Sequence, residues 1–65
     1  MSETVIVPVL YRVEEAAEAM RISRSVVYEL IRSDRLRTVK VGRSRRVPVD
    51  ALAECVALLA EEAAA

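Results

Sequence analysis

The sequence predicts a mainly α domain with one β-hairpin, and three observations carry that prediction. Two short apolar stripes at helical spacing stand a few residues apart. Alternating valines then bracket the only glycine. A third helical stripe follows the second of the two prolines. At 65 residues the chain has room for one domain, and a domain of this size buries only about 60% of its unfolded surface.

Residues 1–9 read as an N-terminal arm. Val5, Ile6, Val7 and Val9 have strand propensity and Pro8 interrupts them. That suits either a short edge strand paired onto the domain or a loose apolar arm that packs on a partner. A first helix runs from Val13 to Met20, where Val13, Ala16, Ala17 and Met20 fall at i, i+3, i+4 and i+7. Glu14 and Glu15 occupy its first turn, which the helix dipole favours. Arg12 stands at the N-cap and is a poor cap, so a weak helix start is expected. Ser23 is a good N-cap for a second helix, with Val27, Leu30 and Ile31 as its stripe and Val26 at the margin. Two short helices, a tight joint and an inward Ile22 form a helix-turn-helix pattern, a spacing shared with generic helical hairpins.

Asp34 is expected to end the second helix in the left-handed conformation, and Leu36 to return to the core. Residues 37–49 follow the period-2 strand signal: Val39 and Val41, a turn over Gly42, Arg43 and Ser44, then Val47 and Val49. A hairpin placed after a helix-turn-helix is a wing. Pro48 is placed to open a third helix, with Asp50 near its N-terminus. Ala51, Leu52, Cys55, Val56 and Leu59 mark its apolar face, and Leu58 falls off the stripe. Residues 10–60 are thus read as a winged helix-turn-helix domain and residues 61–65 as a frayed tail.

Charge is divided along the chain. Residues 21–46 hold nine cations against Glu29 and Asp34, net +7; the remainder holds Arg12 against eight acids, net −7. A basic middle between acidic flanks points to a polyanion-binding face on a neutral protein. Enzyme classes fare poorly. With no His and a single Cys, Ser-His and Cys-His pairs are excluded, as is an ordinary zinc site within one chain. One glycine cannot build a phosphate loop. The pairs Glu14/Glu15 and Glu61/Glu62 read as solvated helix surface, and the chain is too small to enclose a substrate pocket. Cys55 reads as a small core thiol, with a reactive or intermolecular thiol as the alternative. No signal peptide is evident, and the apolar residues 5–10 fall far short of the ~20 that a membrane span needs. The expected location is cytoplasmic, with no cofactor and no membrane.

The candidate binding residues follow from this map. On the second helix, Arg24, Ser25, Tyr28 and Arg32 lie beside or opposite the apolar stripe, where a helix entering a major groove presents its contacts. Each has a plainer reading: solvated surface for Arg24 and Arg32, helix capping for Ser25, a half-buried core ring for Tyr28. Glu29 sits among them, either accepting from a cytosine amine or pairing with Arg32 or Arg24 to orient them; a third reading is that it weakens phosphate binding. The wing brings Arg43, Arg45 and Arg46 around one turn, a cluster suited to a narrow minor groove. Lys40 extends that surface. Arg37 and Arg21 are candidates for further phosphate contact.

The stretch VEEAAEAMRISRSVVYELIRSDRL followed by VKVGRSRRVPVDAL resembles the excisionase-type branch of the MerR-like winged helix-turn-helix domains. The resemblance covers about residues 10–56 and rests on the EEAA first helix, the IS-RS-VVY-LI second helix, the V-G-R-x-x-R-V-P wing and the DAL helix start. It implies that the second helix reads the major groove and the wing the adjacent minor groove of double-stranded DNA. The sequence departs from the family pattern at Arg12, where Thr is frequent, and at Asp34, where Gly is common. It departs again at Glu29, where a basic or polar residue is usual, and at Arg45, where an aromatic is frequent. Family members include recombination directionality factors, which bind repeated attachment-region sites, bend them and help an integrase of a phage or plasmid excise its element. Others are small transcription regulators. The resemblance implies an integrase or recombinase partner, cooperative self-association on tandem sites and residence with the nucleoid of a bacterial or phage-infected host. The coiled coil and effector domain of longer MerR regulators are not expected in 65 residues. A protein-interaction module, using the arm and the acidic third helix, is the reading from another class.

Overall fold

The computed structural model describes residues 9–64. The elements run β1 (Leu10–Tyr11), α1 (Val13–Met20), α2 (Arg24–Arg32), β2 (Val39–Val41), β3 (Ser44–Pro48) and α3 (Val49–Ala64). Three helices and a small antiparallel sheet of order β1-β3-β2 give the winged helix-turn-helix architecture. The strand propensity of Val5, Ile6 and Val7 lies outside the described residues. From Val9 onward the chain is paired: the Val9 carbonyl accepts from the Val49 N–H at 3.1 Å, and Leu10 and Tyr11 stand opposite Pro48 and Val47.

Helix α1 begins without a side-chain cap from Arg12, as its chemistry requires, yet the start is not left open. Glu15 reaches back so that its Oε1 accepts the Arg12 backbone N–H at 2.8 Å, the return half of a capping box. The helix ends at Arg21 in the left-handed region (φ 57°, ψ 43°), with the Ile22 N–H closing onto the Ala17 carbonyl at 3.0 Å. That closure turns the chain sharply enough for Ser23 to start α2, where its hydroxyl accepts from the Val26 N–H at 3.2 Å. Asp34 takes the left-handed conformation expected of it (φ 62°), and the Arg35 and Leu36 N–H groups both close onto the Leu30 carbonyl.

Ten side chains form the core: Val13, Ala16 and Ala17 of α1, Val27 and Leu30 of α2, Leu36, Val47 of β3, and Ala51, Leu52 and Cys55 of α3. Tyr11, Met20, Ile22, Ile31 and Leu59 pack against it partly buried. Full burial of a residue such as Val27 or Val47 stabilises by roughly 1.5–3 kcal/mol, so these aliphatics, not the surface charges, hold the helices to the sheet. Cys55 is completely buried, and burial pushes its thiol pKa up. Of the two readings for it, the core thiol is the one the fold adopts.

Three expectations shift. Pro48 ends β3 and does not open α3, which starts at Val49. Val56 is 53% exposed and does not join the buried face, since a narrow stripe of Ala51, Leu52, Cys55 and Leu59 suffices for contact. Residues 61–64, expected to fray, continue α3 as helix, and Glu62 is tied by its carboxylate to Arg35.

Candidate nucleic-acid interface

The outer face of α2 carries Arg24, Ser25, Tyr28, Glu29 and Arg32, all exposed. At 1.5 Å per residue, Arg24 and Arg32 stand about 12 Å apart along the axis. Ser25 makes no cap, because Ser23 already does so. Tyr28 is 40% exposed and lies outside the core cluster, so its core alternative is not taken. The expected pairing of Glu29 with Arg24 or Arg32 is not formed. Glu29 instead borders an open groove of about 610 Å³ between α2 and α3, with Val26, Leu30, Arg32 and Leu59. Arg24 is held by a different carboxylate, Glu14 of α1, with Nη1 donating to Oε2 at 3.4 Å.

The hairpin turns on two residues, Gly42 and Arg43, with Val41 opposite Ser44. Gly42 has φ 62°, the first central position of a tight hairpin turn that favours Gly. Ser44, expected in the turn, is the first residue of β3. This register decides which way the arginines face. Lys40 stands opposite Arg45, and both share a face with the buried Val47. Arg46 stands opposite Val39 on the other face. The three wing arginines are therefore three directions from one stem: Arg43 at the tip, Arg45 toward the helices and Arg46 outward. Arg45 donates to the Thr38 hydroxyl at 2.7 Å and lines a pocket of about 410 Å³ with Ile31, Leu36 and Arg37. Arg46 donates to the Arg45 carbonyl at 3.2 Å.

The acidic flanks divide the basic residues into two sets. Arg37 donates through Nη2 to Asp50 and to Glu54, both at 3.2 Å, and Arg35 donates through Nε to both oxygens of Glu62 at 3.0 Å. Hydrogen bonding to Glu62 raises the Arg35 pKa, and bonding to Glu54 raises that of Arg37. Arg21, Arg32, Lys40, Arg43, Arg45 and Arg46 have no carboxylate partner among the described residues. The positive charge left uncompensated lies at Arg21 in the joint between α1 and α2, at Arg32 at the end of α2 and along the wing, while Arg24 is met by Glu14. Arg37, a candidate for phosphate contact, belongs to the compensated set.

Sequence reasoning passed over two side chains that touch these candidates. Thr38, just ahead of β2, accepts from Arg45, and Glu14 meets Arg24 across the turn. Both contacts run between separate elements, so the periodicity within any one helix or strand could not mark them. No described helix is long and apolar enough to cross a membrane.

Residues 10–57 match the family described as "Helix-turn-helix domain". The chain is 40% identical over 53 residues to a Streptomyces ambofaciens protein named "Excisionase", covering 82% of this chain and 86% of that one. It is also 40% identical over 58 residues to a "Probable excisionase" of Saccharopolyspora erythraea, covering 88% of this chain; the matched region spans 59% of that longer relative. No solved structure matches.

Proposed function

Because the chain belongs to the excisionase-type helix-turn-helix family, we propose that it is a DNA-binding excisionase, an accessory factor of site-specific recombination and not an enzyme. The observation that carries the DNA-binding face is the sorting of charge. Acids from α3 occupy Arg35 and Arg37, while Arg32 of α2 and the cations of the wing have no carboxylate partner among the described residues and are left for an external polyanion; Arg24 is shared with the exposed Glu14. In this reading α2 lies in a major groove. Arg24 addresses a base edge, with a guanine as its best bidentate partner. Ser25, Tyr28 and Arg32 contact bases or phosphates along the same groove. The wing reaches the neighbouring minor groove, with Arg43 leading, Lys40 and Arg45 on its helix-facing side and Arg46 on its outer side. Arg21 adds phosphate contact at the helix turn. Arg37 joins only by leaving Asp50 and Glu54.

The V-G-R-x-x-R-V-P wing supports placement in the MerR-like winged branch. An integrase is the partner the excisionase reading implies, the two meeting on attachment-site DNA in the bacterial cytoplasm, with neighbouring copies binding cooperatively. Backbone neutralisation on one side of the duplex and arginine insertion into its minor groove supply a physical route to bending.

The test is a titration of duplex DNA at two salt concentrations, followed by a gel-mobility bending assay on the attachment site. Six phosphate contacts predict an affinity loss of about a thousandfold between 50 and 200 mM salt. Binding without a salt slope would overturn the DNA reading. Salt-dependent binding with no bend, at a site that represses a neighbouring promoter, would replace excisionase by transcription regulator.

A further inference from the structure

Building on the reading of α2 as the groove-reading helix, we infer that Glu14 is a positioning residue that sharpens the base preference of Arg24. Glu14 lies in the first turn of α1 and Arg24 opens α2; the tight joint at Arg21 and Ile22 brings them within 3.4 Å. Their side chains are 59% and 62% exposed, and an exposed pair of this kind does little for the stability of a fold. Its consequence lies in where it leaves the guanidinium. The neighbouring Glu15 is occupied with the Arg12 backbone, and Glu29 on α2 itself makes no contact with Arg24. Glu14 is thus the one carboxylate among the described residues that restrains this arginine.

The chemistry of the fork explains the effect. A guanidinium has five N–H donors in a fixed plane, and guanine recognition needs two of them. Glu14 takes one hydrogen from Nη1, leaving the rest of the fork free while limiting the rotamers of a long side chain. An arginine already confined loses less freedom on meeting its base, and it has fewer poses from which to satisfy a wrong one. The same carboxylate sits near the polyanion and repels it. Glu14 therefore acts in opposite directions on two readouts, improving discrimination and weakening general affinity.

That opposition supplies the test. The wild-type chain, Glu14→Gln, Arg24→Ala and the double variant are each put through selection from a randomised duplex pool, and each is titrated against one duplex of arbitrary sequence. Glu14→Gln should reduce preference about fivefold at the base pair whose preference Arg24→Ala abolishes, the lower end of what one good arginine–guanine pair provides. It should leave other positions alone and bind the arbitrary duplex more tightly. In the Arg24→Ala background it should change preference no further. An unchanged preference in Glu14→Gln, a change at other base pairs, or a loss that persists without Arg24 overturns the inference. A wild-type chain that selects no sequence overturns it together with the groove-reading role of α2, whereas selection by wild type that Glu14→Gln leaves unaltered overturns this inference alone.

Discussion

Residues 35–37 and residues 43–46 are the two most arginine-dense stretches of the chain, and in the sequence they look interchangeable. In the fold they are opposites. Arg35 and Arg37 lie against α3 and are taken up by Glu62, Asp50 and Glu54, whereas Arg43, Arg45 and Arg46 stand on a hairpin with no acid among the described residues to meet them. A count of basic residues therefore overstates the binding face. Charge available to a ligand is what remains after the protein has neutralised its own, and here α3 does the neutralising.

The contrast can be broken most directly at the wing. Arg43→Ala combined with Arg45→Ala should weaken binding to any duplex by about one to two orders of magnitude and reduce the salt slope by about two. A titration across salt concentrations reads both numbers, and an unchanged slope would place the wing away from the phosphates. Next in size is Arg24→Ala, expected to lose about 1–3 kcal/mol of discrimination at one base pair while keeping most general affinity. Equal losses on every sequence would move Arg24 into the phosphate-binding set.

The compensated arginines should respond differently. Arg37→Ala should leave the salt slope of DNA binding unchanged and lower the thermal midpoint slightly, by an amount that shrinks at high salt because the pair is exposed. A fall in slope matching that of the wing variant would erase the distinction between the two stretches. The smallest expected effect lies just ahead of residues 35–37. Asp34 holds φ 62°, a conformation that glycine adopts without penalty. Asp34→Gly should stabilise by about 0.5–1 kcal/mol in denaturant unfolding, since Asp tolerates the region only partly.

The helices were legible because their determinants are local. The stripe of Val13, Ala16, Ala17 and Met20, the Ser23 cap and the left-handed Asp34 each announce themselves within a few residues. The facing of the hairpin was not legible, and the reason is one residue. A three-residue turn over Gly42, Arg43 and Ser44 would set Val39 opposite Val47 and gather the valines on one face. The two-residue turn sets Val39 opposite Arg46, so Val47 is buried while Val39 and Val41 are exposed. A slip of one position reverses every side chain of a strand. The ion pairs were hidden for a different reason. Arg35 meets Glu62 across 27 residues, and Arg37 meets Glu54 across 17. Only the placement of α3 brings them together. Glu29 is the acid on α2 itself, but the acid that reaches Arg24 comes from the helix before it.

Beyond Leu59, helix α3 buries no side chain among the described residues, yet it continues to Ala64 and places Glu62 on Arg35. Its final turn therefore acts on electrostatics and not on packing. The length of this helix is a setting for the field of the opposite face: shorten it by one turn and Arg35 loses its carboxylate, lengthen its acidic run and more of the basic surface is cancelled. Variation at the C-terminal end of α3 would then tune how indiscriminately such a protein adheres to DNA, without touching any residue that reads it.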